Sequence, residues 1–337
     1  MSEPDYTVRA YRPDDREAVL ALLERSLGPG PAGERTADFF DWKHGRNPFG
    51  PSPALVADTG EGLIGLRALM RWRFAAGQRA VEALRAVDTA TDPAHQGKGV
   101  FRRLTLAALE KVGDDAALVF NTPNADSLPG YLKFGWREVG RVGVDVAPAR
   151  PLRLARHTRR VASGRGDARP VPSELPRAAE VLADHTALAP LLAVQPADER
   201  LHTPRTHEFL RWRYAEAPGL DYRAVTLDGP QGLTGLAIGR LRRRGPLAEL
   251  ILADALVRPG DNAGARRLLR RVARAGGDYA AAHLAGDAAL RRAGRRAGYV
   301  PAPRQGLTLV ANPLQDVEPD PTRRDAWRLA LGDLEVF

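Results

Sequence analysis

The stretch AVDTATDPAHQGKGVFRRLTLAAL, from Ala86 to Leu109, decides how the first part of this chain folds. It starts with the alternating pattern of a strand and ends with the apolar spacing of an amphipathic helix. Between them, Gly97 and Gly99 permit positive φ angles and bring backbone N–H groups together at the start of the helix. A helix N-terminus attracts anions, and Lys98 and Arg102 add positive charge, so the turn suits a pyrophosphate. An ordinary glycine-rich turn would have the same local sequence.

A second motif follows this stretch. The segment from Asn124 to Trp136 reads NADSLPGYLKFGW and places Tyr131 seven residues after Asn124. Over residues 6–146 the apolar periodicity and the turn segments TGEG and AAGQ predict the element order β-α-α-β-β-β-α-β-α-β. This order predicts an α/β fold in which helices flank a mostly antiparallel mixed sheet.

The two motifs resemble those of the GCN5-related N-acetyltransferases, the GNAT superfamily, and the resemblance covers residues 6–146. The family's CoA-binding motif is Gln/Arg-x-x-Gly-x-Gly/Ala. Phe101 departs from it, and this side chain would either reshape the cofactor site or point into the core. Asn124 would bind pantetheine or hold its loop, with a plain helix N-cap as the alternative. The cofactor-binding residues that the resemblance implies are Thr89, Ala90, Thr91, Gln96, Gly97, Lys98, Gly99, Val100, Phe101, Arg102, Asn124 and Ser127.

The resemblance also implies a reaction, the transfer of an acyl group, usually acetyl from acetyl-CoA, to an amine, with no metal. Pantetheine would pair with backbone groups at Thr89–Thr91, where strand four separates from a strand that begins near Ala116. Tyr131 occupies the family position of the acid that protonates the CoA thiolate; a core tyrosine is the alternative. Asp88 is the predicted general base, with a structural polar group as its alternative. Arg85 stands where some family members carry a catalytic Glu.

An internal repeat divides the chain. TADFFDWKH from Thr36 matches THEFLRWRY from Thr206 at an offset of 170 residues. At the same offset, EGLIGL from Glu61 matches QGLTGL from Gln231. Ordered matches of this kind indicate two copies of one fold. We therefore expect two tandem GNAT-like domains.

The second copy lacks the site residues of the first. The two glycines of the anion-binding turn become Ala263 and Ala265, and Tyr131 becomes Gly294. We interpret this copy as degenerate; the alternative is a second active domain that uses other residues. The predicted domains are a GNAT acetyltransferase domain at residues 1–146, a Pro/Arg-rich linker at 147–176, a degenerate GNAT-like domain at 177–312 and a C-terminal tail at 313–337.

Composition excludes several other classes of protein. The chain has 337 residues and no cysteine, which excludes a disulfide scaffold, a thiolate metal site and a cysteine nucleophile. The net charge is +9, but seven arginines and one acid lie in residues 147–172, without the interleaved aromatics of a nucleic-acid surface. No apolar run is long enough for a membrane span, and the N-terminus is polar, so we expect a cytoplasmic protein.

Three functions remain open at this point: an N-acetyltransferase for a small-molecule amine, a non-catalytic acyl-CoA-binding or scaffold protein, and a FemABX-like aminoacyl transferase. The CoA loop argues against the third. The sequence predicts neither the acceptor nor the oligomeric state. The apolar tail is expected to dock, either over an apolar patch between the two copies or against the first copy. In the latter case the carboxylates of Asp333, Glu335 and the C-terminus would bind or deprotonate the amine.

Overall fold

The chain folds into two units, and long antiparallel strands form the centre of each. The computed structural model describes residues 5–163 and 167–334. The two units are Met1–Gly140, Glu199–Leu201 and Thr308–Ala326 (unit 1), and Arg141–Asp198, His202–Leu307 and Trp327–Phe337 (unit 2). Each unit therefore includes chain from both halves of the sequence.

Unit 1 contains the predicted element order β-α-α-β-β-β-α-β-α-β, which is confirmed. Its elements, the last of which continues into unit 2, are β1 (Thr7–Ala10), α1 (Arg16–Leu27), α2 (Ala37–His44), β2 (Ala54–Asp58), β3 (Leu63–Ala76), β4 (Arg79–Thr91), α3 (Val100–Val112), β5 (Leu118–Asn121), α4 (Leu128–Lys133) and β6 (Arg137–Pro148).

Local chemistry sets the ends of the first helices. Gly28 has a φ of 70°, and its N–H donates to the Glu24 carbonyl, which ends α1. At the start of α2, the Thr36 side chain accepts the N–H of Phe39 at 3.2 Å. This cap satisfies one of the backbone donors that a helix leaves unpaired at its start.

The sheet of unit 1 is mixed and is covered on both sides. Its first five strands lie in the order β1-β2-β3-β4-β5, antiparallel except for the parallel pair β4–β5. One buried apolar cluster combines strand residues with α1 and α2, through side chains such as Leu22 and Phe40. A second combines strand residues with α3 and α4, through Leu104 and Tyr131. Because apolar clusters flank the sheet, β3 is buried along most of its length.

Unit 2 has the same plan of strands. The strands β8 (Tyr222–Gly229), β9 (Gly232–Arg244), β10 (Leu247–Val257) and β11 (Tyr279–Ala282) lie in this order, with β10–β11 parallel and the other pairs antiparallel. The remaining elements are α5 (Pro151–Ser163), β7 (Asp167–Pro170), α6 (Ala178–Ala183), α7 (His185–Ala193), α8 (His207–Leu210), α9 (Asn262–Ala273), α10 (Ala288–Ala297), β12 (Val300–Pro313) and α11 (Leu331–Leu334).

In the described part of the chain, no helix is both long and apolar enough to cross a bilayer.

Each unit receives a strand from the other half of the chain. In unit 1, β5 pairs antiparallel with Val310–Pro313 of β12. In unit 2, β11 pairs antiparallel with Asp145–Pro148 of β6. Strand β6 therefore starts in unit 1 and ends in unit 2, and β12 does the reverse.

This exchange gives limits that differ from a linear division of the chain. The predicted boundary at residue 146 falls inside β6, and the predicted tail starts at residue 313, where β12 ends. The segment 147–176, predicted as a linker, contains α5 and β7. From the sequence alone, a strand is grouped with the elements that precede it in the chain. In the structure, a strand belongs to the unit whose sheet edge it completes.

A fragment of residues 1–146 is expected to be unstable, because β5 would lose its partner strand. Leu309 and Val310 of β12 are fully buried in the whole chain, and burial of two such side chains contributes about 3–6 kcal/mol. Circular dichroism should show a broad, low melting transition for this fragment. A synthetic peptide of residues 306–316 should raise the melting temperature, and the same peptide carrying Val310→Asp should not. A fragment that melts cooperatively at the temperature of the full chain would contradict the exchange.

Candidate active site

The glycine-rich turn lies between β4 and α3. Gly97 and Gly99 have φ angles of 76° and 79°, which residues with a side chain rarely adopt. Gly99 is the N-cap of α3 and provides no side-chain hydrogen bond, and the first turn of the helix has no acidic residue. The N–H groups of Val100, Phe101 and Arg102 have no acceptor within the helix. This is the geometry of an anion-binding helix N-terminus.

Beside this turn, β4 has a free edge. Strands β4 and β5 pair only at Ala83–Arg85 against Leu118–Phe120, whereas β4 stays paired with β3 up to Thr91. Among the described strands, none pairs with the β5 side of β4 over residues 86–91. The expected separation of strands four and five is therefore present. It leaves backbone groups at Thr89–Thr91 to pair with an extended ligand.

A β-bulge in β4 directs two consecutive side chains to different partners. Asp88 and Thr89 together lie opposite Arg67 of β3, because the register between the two strands shifts at this point. Asp88 has a φ of 42°, which is uncommon for a residue other than glycine. Its carboxylate contacts α2, whereas the Thr89 hydroxyl accepts a hydrogen bond from Arg67 at 2.6 Å.

Tyr131 lies on α4 within a group of aromatic side chains. It is 5 % exposed, and the rings of Trp136 and Phe101 contact it edge to face, with centroids at 5.1 and 5.7 Å. The Tyr131 hydroxyl accepts a hydrogen bond of 2.8 Å from Nη1 of Arg67. The same nitrogen donates to Thr89. Two predicted site residues, Tyr131 and Thr89, are thus joined through one guanidinium.

Sequence analysis missed Arg67. Its side chain is 0 % exposed, and its guanidinium carbon lies 5.1–5.8 Å from the ring centroids of Phe101, Tyr131 and Trp136. Such rings compensate in part for the loss of water around a buried cation. The signal was present in LIGLRALM, Leu63–Met70, where one charge interrupts an apolar strand. A charge at such a position requires a specific partner.

Phe101, which departs from the CoA-binding motif, packs into this aromatic group. Its ring centroid lies 5.6 Å from that of Phe134. Gly130 permits the close approach, because a Cβ there would lie 2.9 Å from the Phe101 ring. Of the two alternatives for Phe101, the structure therefore shows packing into the core.

Asn124 and Ser127 shape the loop that precedes α4. The side-chain oxygen of Asn124 accepts the Ser127 N–H at 2.9 Å and the Ser127 hydroxyl at 2.8 Å. The Asn124 carbonyl accepts the N–H of Leu128 at the start of the helix. Asn124 therefore holds the loop from which α4 presents Tyr131. Contact of either side chain with pantetheine stays a prediction.

Asp88, the predicted general base, is bound by basic side chains. Its carboxylate lies 2.5 Å from Nζ of Lys43 and 2.9 Å from Nε2 of His44, and Arg35 lies 3.9 Å away. Burial alone would raise the pKa of Asp88, but Lys43 and His44 hold it well below its usual range. Burial also lowers the pKa of His44. Since so acidic a carboxylate accepts protons poorly, these surroundings favour the structural alternative for Asp88.

Unit 2 replaces the key features of this site. The Asp261 carboxylate accepts the N–H of Gly264 at 2.7 Å at the start of α9, which places negative charge where unit 1 has none. A side chain at Gly294, the position aligned with Tyr131, would collide with Leu284. Anion binding and a tyrosine acid are therefore both disfavoured at these positions.

The C-terminal tail is divided between the units: its first part, up to Ala326, belongs to unit 1, and the segment from Trp327 onwards belongs to unit 2. The large apolar side chains of Trp327–Leu334 are buried, as is Asp333. Arg205 lies 2.9 Å from the Asp333 carboxylate and 2.7 Å from that of Asp254. The expectation that Asp333 acts on an amine in the first copy is wrong, because its charge is neutralised in unit 2. Glu335 and the C-terminal carboxylate lie outside the described residues.

Unit 1 thus combines an α/β sheet that separates at one edge with an anion-binding helix start beside that edge. Residues 7–139 match the family model described as the acetyltransferase (GNAT) domain. No curated protein matches the chain. Within residues 5–163 and 167–334, no group of three or more His, Asp or Glu side chains is placed to hold a metal ion.

Solved structures share the fold over most of the chain. A GCN5-related N-acetyltransferase from Anabaena variabilis aligns with a TM-score of 0.62 and 13 % identity, over 92 % of this chain and 73 % of its own. An Enterococcus faecalis protein described as a probable N-acyltransferase gives 0.61 and 12 %, over 92 % and 72 %. Eis1 from Mycobacterium abscessus gives 0.54 and 15 %, over 92 % and 73 %.

Gly99→Glu is expected to weaken CoA binding by about 100-fold, because it strains a positive-φ position and adds a carboxylate at the anion-binding helix start. Gln96 and Lys98 of the same turn are exposed, so both stay accessible to CoA in this variant. Isothermal titration calorimetry should show one CoA site per wild-type chain. The control Gly113→Glu adds the same charge at the opposite end of α3 and should bind CoA normally. Unchanged affinity in Gly99→Glu, or two sites in the wild type, would contradict this assignment.

Asp88→Asn is expected to reduce the free energy of unfolding by about 3–5 kcal/mol at pH 7, because Lys43 would stay buried without its counter-charge. The pKa of Asp88 is depressed in the folded state from 3.8. Its stabilisation is therefore present above about pH 4 and declines as the pH falls further. Urea unfolding should show a constant difference between wild type and variant from pH 5 to 7 and a smaller one at lower pH. The control Asp38→Asn changes an exposed carboxylate; a pH-independent effect of Asp88→Asn would refute the argument.

Proposed function

We propose that unit 1 transfers an acetyl group from acetyl-CoA to a primary amine of a small molecule. The position of Tyr131 carries this proposal, because its buried hydroxyl is joined through Arg67 to Thr89 on the free edge of β4. The chain continues from that edge into the turn of Gly97 and Gly99. A thioester lying along the edge, with its pyrophosphate at the turn, would bring its sulfur towards the phenol.

Each part of the site has one task in this reaction. The N–H groups at the start of α3 bind the pyrophosphate. Backbone groups of β4 pair with pantetheine, and one N–H stabilises the oxyanion that develops on the thioester. The amine nitrogen attacks the carbonyl carbon, a C–N bond forms, and the C–S bond breaks as sulfur takes the proton of Tyr131. The amine releases its proton to solvent, and solvent returns one to the phenolate.

Unit 2 is, in this proposal, a degenerate second GNAT copy. The Thr206 side chain caps α8 by accepting the Phe209 N–H at 3.1 Å, as Thr36 does for α2. The four strands β8 to β11 have the pairing directions of β2 to β5. The features at Asp261 and Gly294 support a copy without CoA or catalysis.

Thiol release from acetyl-CoA in the presence of a panel of primary amines tests the function. Because the chain has no cysteine, a thiol reagent reports free CoA alone. Mass spectrometry of the amines should then show the addition of one acetyl group. A non-catalytic acyl-CoA-binding protein would bind acetyl-CoA in calorimetry without release. A FemABX-like enzyme would neither bind nor consume it.

Tyr131→Phe is expected to lower kcat by about 10²–10⁴-fold, the usual contribution of a positioned acid. The Kd for CoA should change by less than about twofold, because the hydroxyl acts only on the leaving sulfur. Tyr6→Phe is a matched control, since Tyr6 is a buried tyrosine of the same apolar cluster. Wild-type turnover in Tyr131→Phe would return this residue to a packing role.

A further inference from the structure

Arg67 is a buried cation that has no carboxylate partner among the described residues. Its hydrogen bonds in the described part of the chain go to the Thr89 hydroxyl at 2.6 Å and the Tyr131 hydroxyl at 2.8 Å. Its Nε and Nη2 are buried and have no hydrogen-bond partner there. A charge in this situation is costly, and packing alone would be satisfied by an apolar side chain of similar size. Because burial of this charge costs stability, we expect Arg67 to have a function at the groups that its guanidinium contacts.

The chemistry of the guanidinium fixes the direction of the hydrogen bond to Tyr131. Arginine carries only donors, so the phenol oxygen must accept. The hydrogen of the Tyr131 hydroxyl is then left to donate elsewhere, and no group in the described part of the chain accepts it. Neither a carbonyl nor a carboxylate at the place of Arg67 would have this effect, because each would accept that hydrogen itself.

We propose that Arg67 is the positioning residue of Tyr131, which sets the phenol as a donor and stabilises the phenolate after its proton has moved to sulfur. This inference rests on the function proposed above. When the C–S bond breaks, its electron pair goes to sulfur, sulfur takes the phenol proton, and negative charge appears on the Tyr131 oxygen 2.8 Å from Nη1. Away from water, a charge at this distance is strongly stabilising.

The second bond of Nη1 places this acid relative to β4. Thr89 belongs to the bulge on the free edge of the strand, and its hydroxyl shares the nitrogen that holds Tyr131. The aromatic rings of Phe101 and Trp136 limit the guanidinium to this position. Arg67 therefore couples the phenol to the strand along which the thioester would lie.

A double-mutant cycle tests this role in the full-length protein. With acetyl-CoA and thiol release as the assay, Arg67→Met should lower kcat by about 10–100-fold and leave the Kd for CoA nearly unchanged. In the Tyr131→Phe background the same substitution should lower kcat by less than about threefold, because its effect passes through the phenol. Arg67→Lys keeps a charged donor and should recover part of the activity. Equal losses in both backgrounds, or full activity in Arg67→Met, would overturn the proposal.

The polarity of the Tyr131 hydroxyl can be measured without any acceptor. In Raman spectra excited outside the tyrosine absorption, the intensity ratio of the tyrosine doublet distinguishes a hydroxyl that accepts from one that donates. The difference spectrum between wild type and Tyr131→Phe isolates this residue and should show an accepting oxygen. In Arg67→Met the ratio should move towards that of a donor, and a wild-type ratio of a donor would overturn the proposal. If the wild-type protein releases no thiol from acetyl-CoA with any amine or with water, the proposed function fails. The Raman measurement would still decide whether Arg67 sets the Tyr131 hydroxyl as a donor.

Arg240→Met separates this role from the general cost of removing a buried arginine. Arg240 is 2 % exposed on β9 of unit 2. Thermal melting should show a loss of stability in Arg240→Met, with kcat and the Raman ratio of Tyr131 unchanged. If Arg67→Met does not fold, Arg67→Lys carries the kinetic cycle and the spectra. A Raman ratio or kcat that changes equally in the Arg240 variant would count against a specific role for Arg67.

Discussion

The β-bulge at Asp88 and Thr89 is the constraint on which the site of unit 1 depends. One extra residue on β4 opposite Arg67 breaks the regular alternation of the strand. Asp88 can then reach α2 while its neighbour Thr89 reaches the Arg67–Tyr131 pair. Without the bulge, one of these connections would be lost. The positive φ of Asp88 is tolerated because an ion pair with Lys43 and a hydrogen bond with His44 hold the carboxylate in place.

The two buried charges beside the bulge are stabilised in different ways, and this difference separates their functions. The negative charge of Asp88 is compensated within the protein by the positive charge of Lys43. Arg67 has ring faces and two hydroxyl oxygens but no anion in the described part of the chain. A negative charge that develops during a reaction is therefore stabilised most effectively beside Arg67. The surroundings of Asp88, the carboxylate that the sequence suggested as a base, favour a structural role, whereas Arg67, which belongs to no motif, contacts the proposed acid.

Local patterns predicted those features that local physics determines. Gly97 and Gly99 were identifiable because positive φ angles restrict the choice of residue, and Tyr131 because its spacing from Asn124 matches a motif. Arg67 was not identifiable from the sequence, because its partners come from β4, α3, α4 and the segment after α4. No short sequence pattern predicts which of these elements come into contact. The strand exchange was hidden for a related reason. Alternation shows that β6 and β12 are strands but not which sheet edge each of them completes.

The exchanged strands have an evolutionary consequence for the second copy. Leu309 and Val310, encoded in the second half of the gene, complete the sheet that carries Tyr131. Loss of that half would leave the edge of β5 open, and an open edge invites aggregation. Natural selection that preserves the sheet of unit 1 therefore also preserves β12, in the second half of the chain. A position of unit 2 outside the strands that complete unit 1, such as Gly294 in α10, is free of this constraint.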